Sequence, residues 1–146
     1  LQGQSRATTW LGEAWLLHGD LATARSLAQQ GLALSSEARY AYGVGLAQRA
    51  LGRIAHASGA LSEAERYYTD ALETFAALSA QYELGRTHLD FATLTRTQGN
   101  LAAVATHLTA ARILFETLQV STYVERTIQL ARAFEVSSPE EPACQP

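Results

Sequence analysis

Apolar and small residues return at steps of three and four along three stretches that overlay at a shift of forty residues. Val44, Ala47, Leu51 and Ile54 align with Leu84, Thr87, Phe91 and Leu94, and again with Val124, Thr127, Ala131 and Phe134. Such spacing marks the buried stripe of an amphipathic helix. A second stripe keeps the same period. Ala64, Tyr68, Ala71, Leu72 and Phe75 match Val104, Leu108, Ala111, Arg112 and Phe115, with a thinner copy at Ala24, Ala28, Gly31, Leu32 and Ser35.

Between the two stripes of each copy lies a turn signal. Gly19-Asp20-Leu21, Gly59-Ala60-Leu61 and Gly99-Asn100-Leu101 recur at the same spacing. A glycine there closes one helix in the left-handed region. Asp20 and Asn100 can cap the next helix, and Ser62 with Glu65 offers a capping box where Ala60 cannot cap. The pattern predicts seven helices near 4–18, 21–35, 38–57, 61–78, 80–98, 101–118 and 120–136. Repeats of this length stack as helix pairs, so the expected fold is all-α: a right-handed superhelical solenoid of about 3.5 antiparallel helix pairs. Residues 1–136 form the repeat domain. Pro139, Pro142 and Pro146 follow the last helix, and 137–146 reads as a flexible tail or the start of a linker.

One position is small in three copies, Gly12, Gly52 and Ala92, which lets a partner helix approach closely. Its fourth counterpart, Arg132, would block that approach, so helix 120–136 is expected to end the stack as a polar-backed cap. The third helix is expected to begin near 38, so the forty-residue counterpart of its start would fall before residue 1 and the first helix looks cut. With no methionine at position 1, this suggests a truncated start within a longer array.

Composition narrows the function classes. A chain of 146 residues with 47% apolar content can bury a core, and a net charge of −3 lacks the basic footprint of a nucleic-acid binder. No apolar run approaches the roughly 18 residues of a membrane span, and Leu1-Gln2-Gly3-Gln4-Ser5-Arg6 lacks the basic start, apolar centre and small-residue cleavage site expected of a signal peptide. The single cysteine, Cys144, cannot form an intrachain disulfide, so a reducing, cytoplasmic setting is the default expectation.

Leu11-Gly12, Leu51-Gly52 and Phe91-Ala92, each with Gly-x-Leu downstream, together with Ala64-x-x-x-Tyr68-x-x-Ala71, resemble the tetratricopeptide repeat. The resemblance runs from residue 4 to 136. Departures are the forty-residue length against about 34, and Thr8, Gln48 and His88 where an aromatic is expected. Long repeats of this kind look like the sensor regions of large bacterial regulators, next to an ATPase, DNA-binding or cyclase module. The resemblance implies that the first helix of each pair lines a concave groove. That surface would hold Arg6, Thr9, Glu13 and Leu16, then Leu46, Arg49, Arg53 and His56, then Arg86, Leu89, Thr93 and Arg96, and finally Arg126.

Six of the eleven arginines fall on that surface of an acidic chain. Guanidinium forks suit carboxylates, so the expected partner is a protein or acidic peptide. Arg49, Arg53, Arg86 and Arg96 would be the anion contacts, and Leu46 and Leu89 the apolar anchors. The competing reading is that the arginines pair with Glu13, Glu83, Asp90 and Glu125 on neighbouring turns. A lysine-and-asparagine carboxylate clamp is not expected, because lysine is absent and Asn100 sits in a turn.

Catalysis is not expected. Tyr42-Gly43-Val44-Gly45 lies within a helix and has no preceding strand to make it a phosphate loop. His18, His56, His88 and His107 fall on four helices without ligand spacing, so neither a metal nor a cofactor is anticipated. Two further functions remain open: a ligand- or peptide-sensing domain controlling a fused ATPase or transcription regulator, and self-association through the first helix.

Overall fold

The computed structural model describes residues 1–134, which form seven α-helices and, among those residues, no strand. They are α1 (Gln2–His18), α2 (Leu21–Glu37), α3 (Ala41–Ala57), α4 (Leu61–Ala77), α5 (Gln81–Thr97), α6 (Leu101–Thr117) and α7 (Ser121–Ala133). The expected tail at 137–146 and the last two residues of the expected seventh helix lie outside the described residues. The all-helical solenoid expected from the repeat is the observed architecture: successive helices pack as antiparallel pairs, and each pair leans on the next.

The underlying step is twenty residues. From α2 onward the helices begin at 21, 41, 61, 81, 101 and 121. Every turn between them carries one residue with positive φ: Gly19, Gly59 and Gly99 at 93°, 79° and 76°, and Arg39, Ser79 and Gln119 at 51°, 52° and 58°. Each closes the preceding helix with the same two backbone bonds. At the second turn, for example, Arg39 N–H donates to Ser36 O at 3.1 Å and Tyr40 N–H to Ser35 O at 2.8 Å. These are Schellman closures, which satisfy the last carbonyls of the helix.

Only half of these turns show themselves by glycine. The helix expected to start at 38 begins instead at 41, after the left-handed Arg39, whereas those expected at 80 and 120 begin one residue later, at 81 and 121. Two caps form as expected: Asp20 and Asn100 accept from Thr23 N–H and Ala103 N–H, both at 3.0 Å. The capping box at Ser62 and Glu65 does not form. α4 starts at Leu61 with Ala60 as its uncapped N-cap, which leaves Ser62 inside the first turn.

The core explains the glycines inside helices. A Cβ on Gly45 would lie 2.7 Å from the Phe75 ring, and one on Gly85 would lie 2.6 Å from the Phe115 ring. Both rings are fully buried, so each glycine is the floor of an aromatic seat within its hairpin. Gly12 packs against backbone: its Cβ would stand 3.0 Å from Ala24 O. The first hairpin has Ser35 at the position of those phenylalanines, and its buried hydroxyl has no hydrogen-bond partner. Arg112 is exposed, so the second stripe in α6 is Val104, Leu108, Ala111 and Phe115. Arg132 is exposed as expected.

Candidate functional site: the inner face of the odd helices

Helix α3 contacts both α1 and α5 directly, whereas the even helices reach one another through long side chains such as the Arg25–Glu63 pair at 2.9 Å. The odd helices therefore form the inner row of the stack. Successive repeats touch there through polar side chains, at sequence separations close to one repeat.

Glu13 of α1 accepts from Arg53 of α3 at 2.9 Å, forty residues away. Glu83 of α5 reaches back to α3 twice: its Oε1 accepts from the Tyr42 hydroxyl at 2.9 Å, and its Oε2 from Arg49 Nη1. Arg86 approaches the same Oε2 at 3.6 Å, and Arg49 Nε stands 4.0 Å from Asp90. His56 Nε2 meets Thr97 Oγ1 at 2.8 Å.

The sequence-derived residues divide accordingly. Arg49 is buried, 3% exposed, and bonded to a carboxylate that is itself 5% exposed; it ties α3 to α5. Arg53 is partly buried and committed to Glu13. Leu46 and Leu89 are core residues; Leu89 packs with α6, and Leu46 borders a cavity. Arg86 shares Glu83 and also lies 5.7 Å over the Tyr82 ring.

The remaining groove cations have no carboxylate within 4.0 Å among the described residues and sit on aromatic rings instead. Arg6 lies 4.8 Å over Trp10, Arg126 5.9 Å over Tyr123, and Arg96 6.0 Å over Phe134. The pairing of arginines with Glu13, Glu83 and Asp90 thus accounts for the middle of the face, and not for Arg6, Arg96 and Arg126. No ion pair to Glu125 forms among the described residues.

Electrostatics follows from the geometry. Burial alone would push the Glu83 carboxyl up, but the Arg49 charge, the Arg49 and Tyr42 hydrogen bonds and Arg86 hold it below the usual carboxylate range. Asp90 goes the other way. Its side chain keeps 31% of its surface but accepts no hydrogen bond among the described residues. Loss of water low in the groove pushes its carboxyl up, against the opposing pull of Arg53, Arg49 and Arg86.

Two cavities open on this face. One, of about 110 Å³, is lined by Arg6, Trp10, Tyr42, Arg49, Glu83 and Arg86 among others. The other, of about 430 Å³, is lined by Leu16, Leu17, Arg53, His56, Tyr68, Asp90 and Thr93, with Ala57.

A second polar contact was not legible from spacing. His88 of α5 and His107 of α6 meet with Nδ1 atoms 2.9 Å apart, and His107 stacks on Phe91 at 4.2 Å. The 5.2 Å between ring centroids is that contact plus one ring radius on each side, so the nitrogens face head-on and share one proton. Lone pairs so arranged do not converge on a metal, and among the described residues no three ligating side chains cluster.

Burial, together with the neighbouring His107, lowers His88 from 6.5 to about 4, and burial lowers His107 as well. As the pH falls from 6.5 toward 4, the unfolded chain takes up protons that the folded pair refuses, so stability is lost over that window. His88→Gln with His107→Tyr copies the residues at the matching positions one repeat earlier, Gln48 and Tyr67. Melting curves at pH 7 and pH 4.5 should show the double variant losing about 1–2 kcal/mol less on acidification than the parent.

Among the described residues, no helix is long and apolar enough to cross a membrane. On the open side of α1, Leu11 is 50% exposed where its counterparts Leu51 and Phe91 are 1% and 7%.

No protein-family model and no curated protein matches the chain. Among solved structures it is similar to the crystal structure of BtubC (BKLC) from P. vanneervenii, with a TM-score of 0.66 and 14% identity over 97% of this chain and 69% of that one. At that identity the likeness concerns the fold alone, and together with the twenty-residue turns and paired helices it makes this chain a helical repeat.

Proposed function

We propose that the chain is a non-catalytic protein–protein interaction scaffold of tetratricopeptide type, cytoplasmic and part of a larger regulatory protein, whose inner face holds an acidic segment of a partner. The observation that carries this reading is the set of guanidinium groups with no carboxylate partner among the described residues, Arg6, Arg96 and Arg126, along a row of helices already fixed by its own ion pairs. These arginines are exposed and lie over aromatic rings, which leaves their guanidinium groups open to bind carboxylates through charge-assisted bonds. Arg86 joins them at the small cavity, where Trp10 supplies an apolar wall. Arg49 and Arg53 serve as the frame.

The test is binding of a fluorescein-labelled oligoglutamate peptide, followed by anisotropy at low and moderate salt. Reversing Arg6, Arg96 and Arg126 to Glu together should weaken binding at least tenfold, a loss of about 1.4 kcal/mol or more, with the melting temperature retained. Equal binding by parent and variant would remove the acidic-partner reading. The enclosed small cavity favours a second reading, a peptide- or ligand-sensing domain that controls a fused ATPase or transcription regulator; a ligand for that cavity would raise the melting temperature.

A further inference from the structure

The larger groove cavity contains two polar groups that the protein leaves without partners. Tyr68 is 1% exposed, yet its hydroxyl makes no hydrogen bond among the described residues and is open to the cavity. Asp90 lines the same cavity, accepts no hydrogen bond among the described residues, and has Arg49 Nε at 4.0 Å as its one ion-pair contact there. Both groups reach solvent through the cavity, so an unbonded carboxylate and an unbonded hydroxyl side by side offer acceptors to an incoming donor. Thr93 completes the set: its hydroxyl donates to Leu89 O at 3.2 Å and keeps its acceptor capacity.

We propose that this cavity is a binding site for a primary alkylammonium group, with Asp90, Tyr68 and Thr93 accepting its three N–H bonds and Leu16 and Leu17 flanking the alkyl stem. An ammonium carries three donors and no acceptor, which matches three acceptors lining one cavity. A guanidinium fits less well, because its fork needs both carboxylate oxygens and Arg49 already approaches Oδ2.

The neighbouring cations do not forbid the site. Arg53 on the rim is bonded to Glu13, Arg49 is bonded to Glu83, and burial lowers His56 so that its imidazole is neutral at pH 7. Asp90 feels the charges of Arg53, Arg49 and Arg86 but accepts no hydrogen bond from them, so its oxygens stay open to a ligand. The ammonium could belong to a lysine side chain of a partner or to a free small amine. The proposal concerns a ligand of opposite charge and does not depend on the acidic-partner reading.

The experiment is a ¹H–¹⁵N NMR titration of the chain with n-butylammonium chloride, with n-butanol as the neutral control. Saturable shifts confined to residues around Asp90, Thr93 and His56 are expected in the millimolar range, and none from butanol. In Asp90→Asn the shifts should need at least tenfold more ligand. Because Asp90 accepts no internal hydrogen bond, that variant should melt no lower than the parent.

A capped Ala-Lys-Ala peptide forms the second arm. Tighter binding than butylammonium assigns the site to a lysine side chain, and weaker binding to a free amine. Equal responses to butylammonium and butanol, undiminished binding in a folded Asp90→Asn, or no saturation would each overturn the proposal. None of these outcomes bears on oligoglutamate binding, which uses different residues and a different probe.

Discussion

Glu83→Ala should unfold the chain more readily than any surface substitution, at a cost of about 3–5 kcal/mol. The reason is what the change leaves behind. Arg49, 3% exposed, would keep a guanidinium with no bonded carboxylate, and the Tyr42 hydroxyl would lose its acceptor. Asp90 at 4.0 Å from Arg49 Nε offers partial relief and sets the lower bound of the estimate. For a domain of this length the melting temperature should fall by roughly 10–20 °C. A double variant, Arg49→Met with Glu83→Leu, removes both charges and restores apolar volume, so it should recover most of the loss. If Glu83→Ala melts within a few degrees of the parent, the pair is not what joins α3 to α5.

Phe115→Ala is the second large loss, also about 3–5 kcal/mol, because it empties a fully buried ring position. Its effect should concentrate at one end. Phe115 stacks on Tyr123 at 4.7 Å and packs in one cluster with Val120 and Val124, and α7 leans chiefly on α6. Amide hydrogen exchange in α7 should therefore accelerate before that in α3 or α4. Filling the seat from the other side tests the same fit. Gly85→Ala puts a methyl 2.6 Å from the ring and should cost about 1–3 kcal/mol. Combining it with Phe115→Leu should cost less than the sum, since the smaller side chain vacates the contested space.

The odd helices, their stripes and the glycine turns were legible because each is written locally in the chain. Gly12 announced a close helix approach by size alone, whereas Gly52 in the same register seats the Tyr68 ring, and Asp20 and Asn100 announced caps by chemistry. The turns near Arg39, Ser79 and Gln119 were placed by the gaps between stripes, but their left-handed backbone was not legible, because L-residues enter that region at about 1–2 kcal/mol without advertising it. The groove was half legible. Its residues could be placed on one face by period, but whether a guanidinium is free depends on partners 34 or 40 residues away, such as Glu83 for Arg49 and Glu13 for Arg53. Side-chain register of that kind is set by the superhelix and not by spacing within one helix. The meeting of His88 with His107 likewise depends on how two helices of a hairpin face each other.

The chain counts in two units at once: its turns repeat every twenty residues, while its buried faces repeat every forty. Deleting a single helix would preserve every backbone closure yet present the wrong side of each following helix to its neighbour. Deleting two, for example residues 41–80, would join Tyr40 to Gln81 through an equivalent left-handed turn and restore the alternation. Natural variation in the length of such arrays should thus come in whole hairpins. A scaffold can be extended or shortened in those steps to match the reach of whatever it holds.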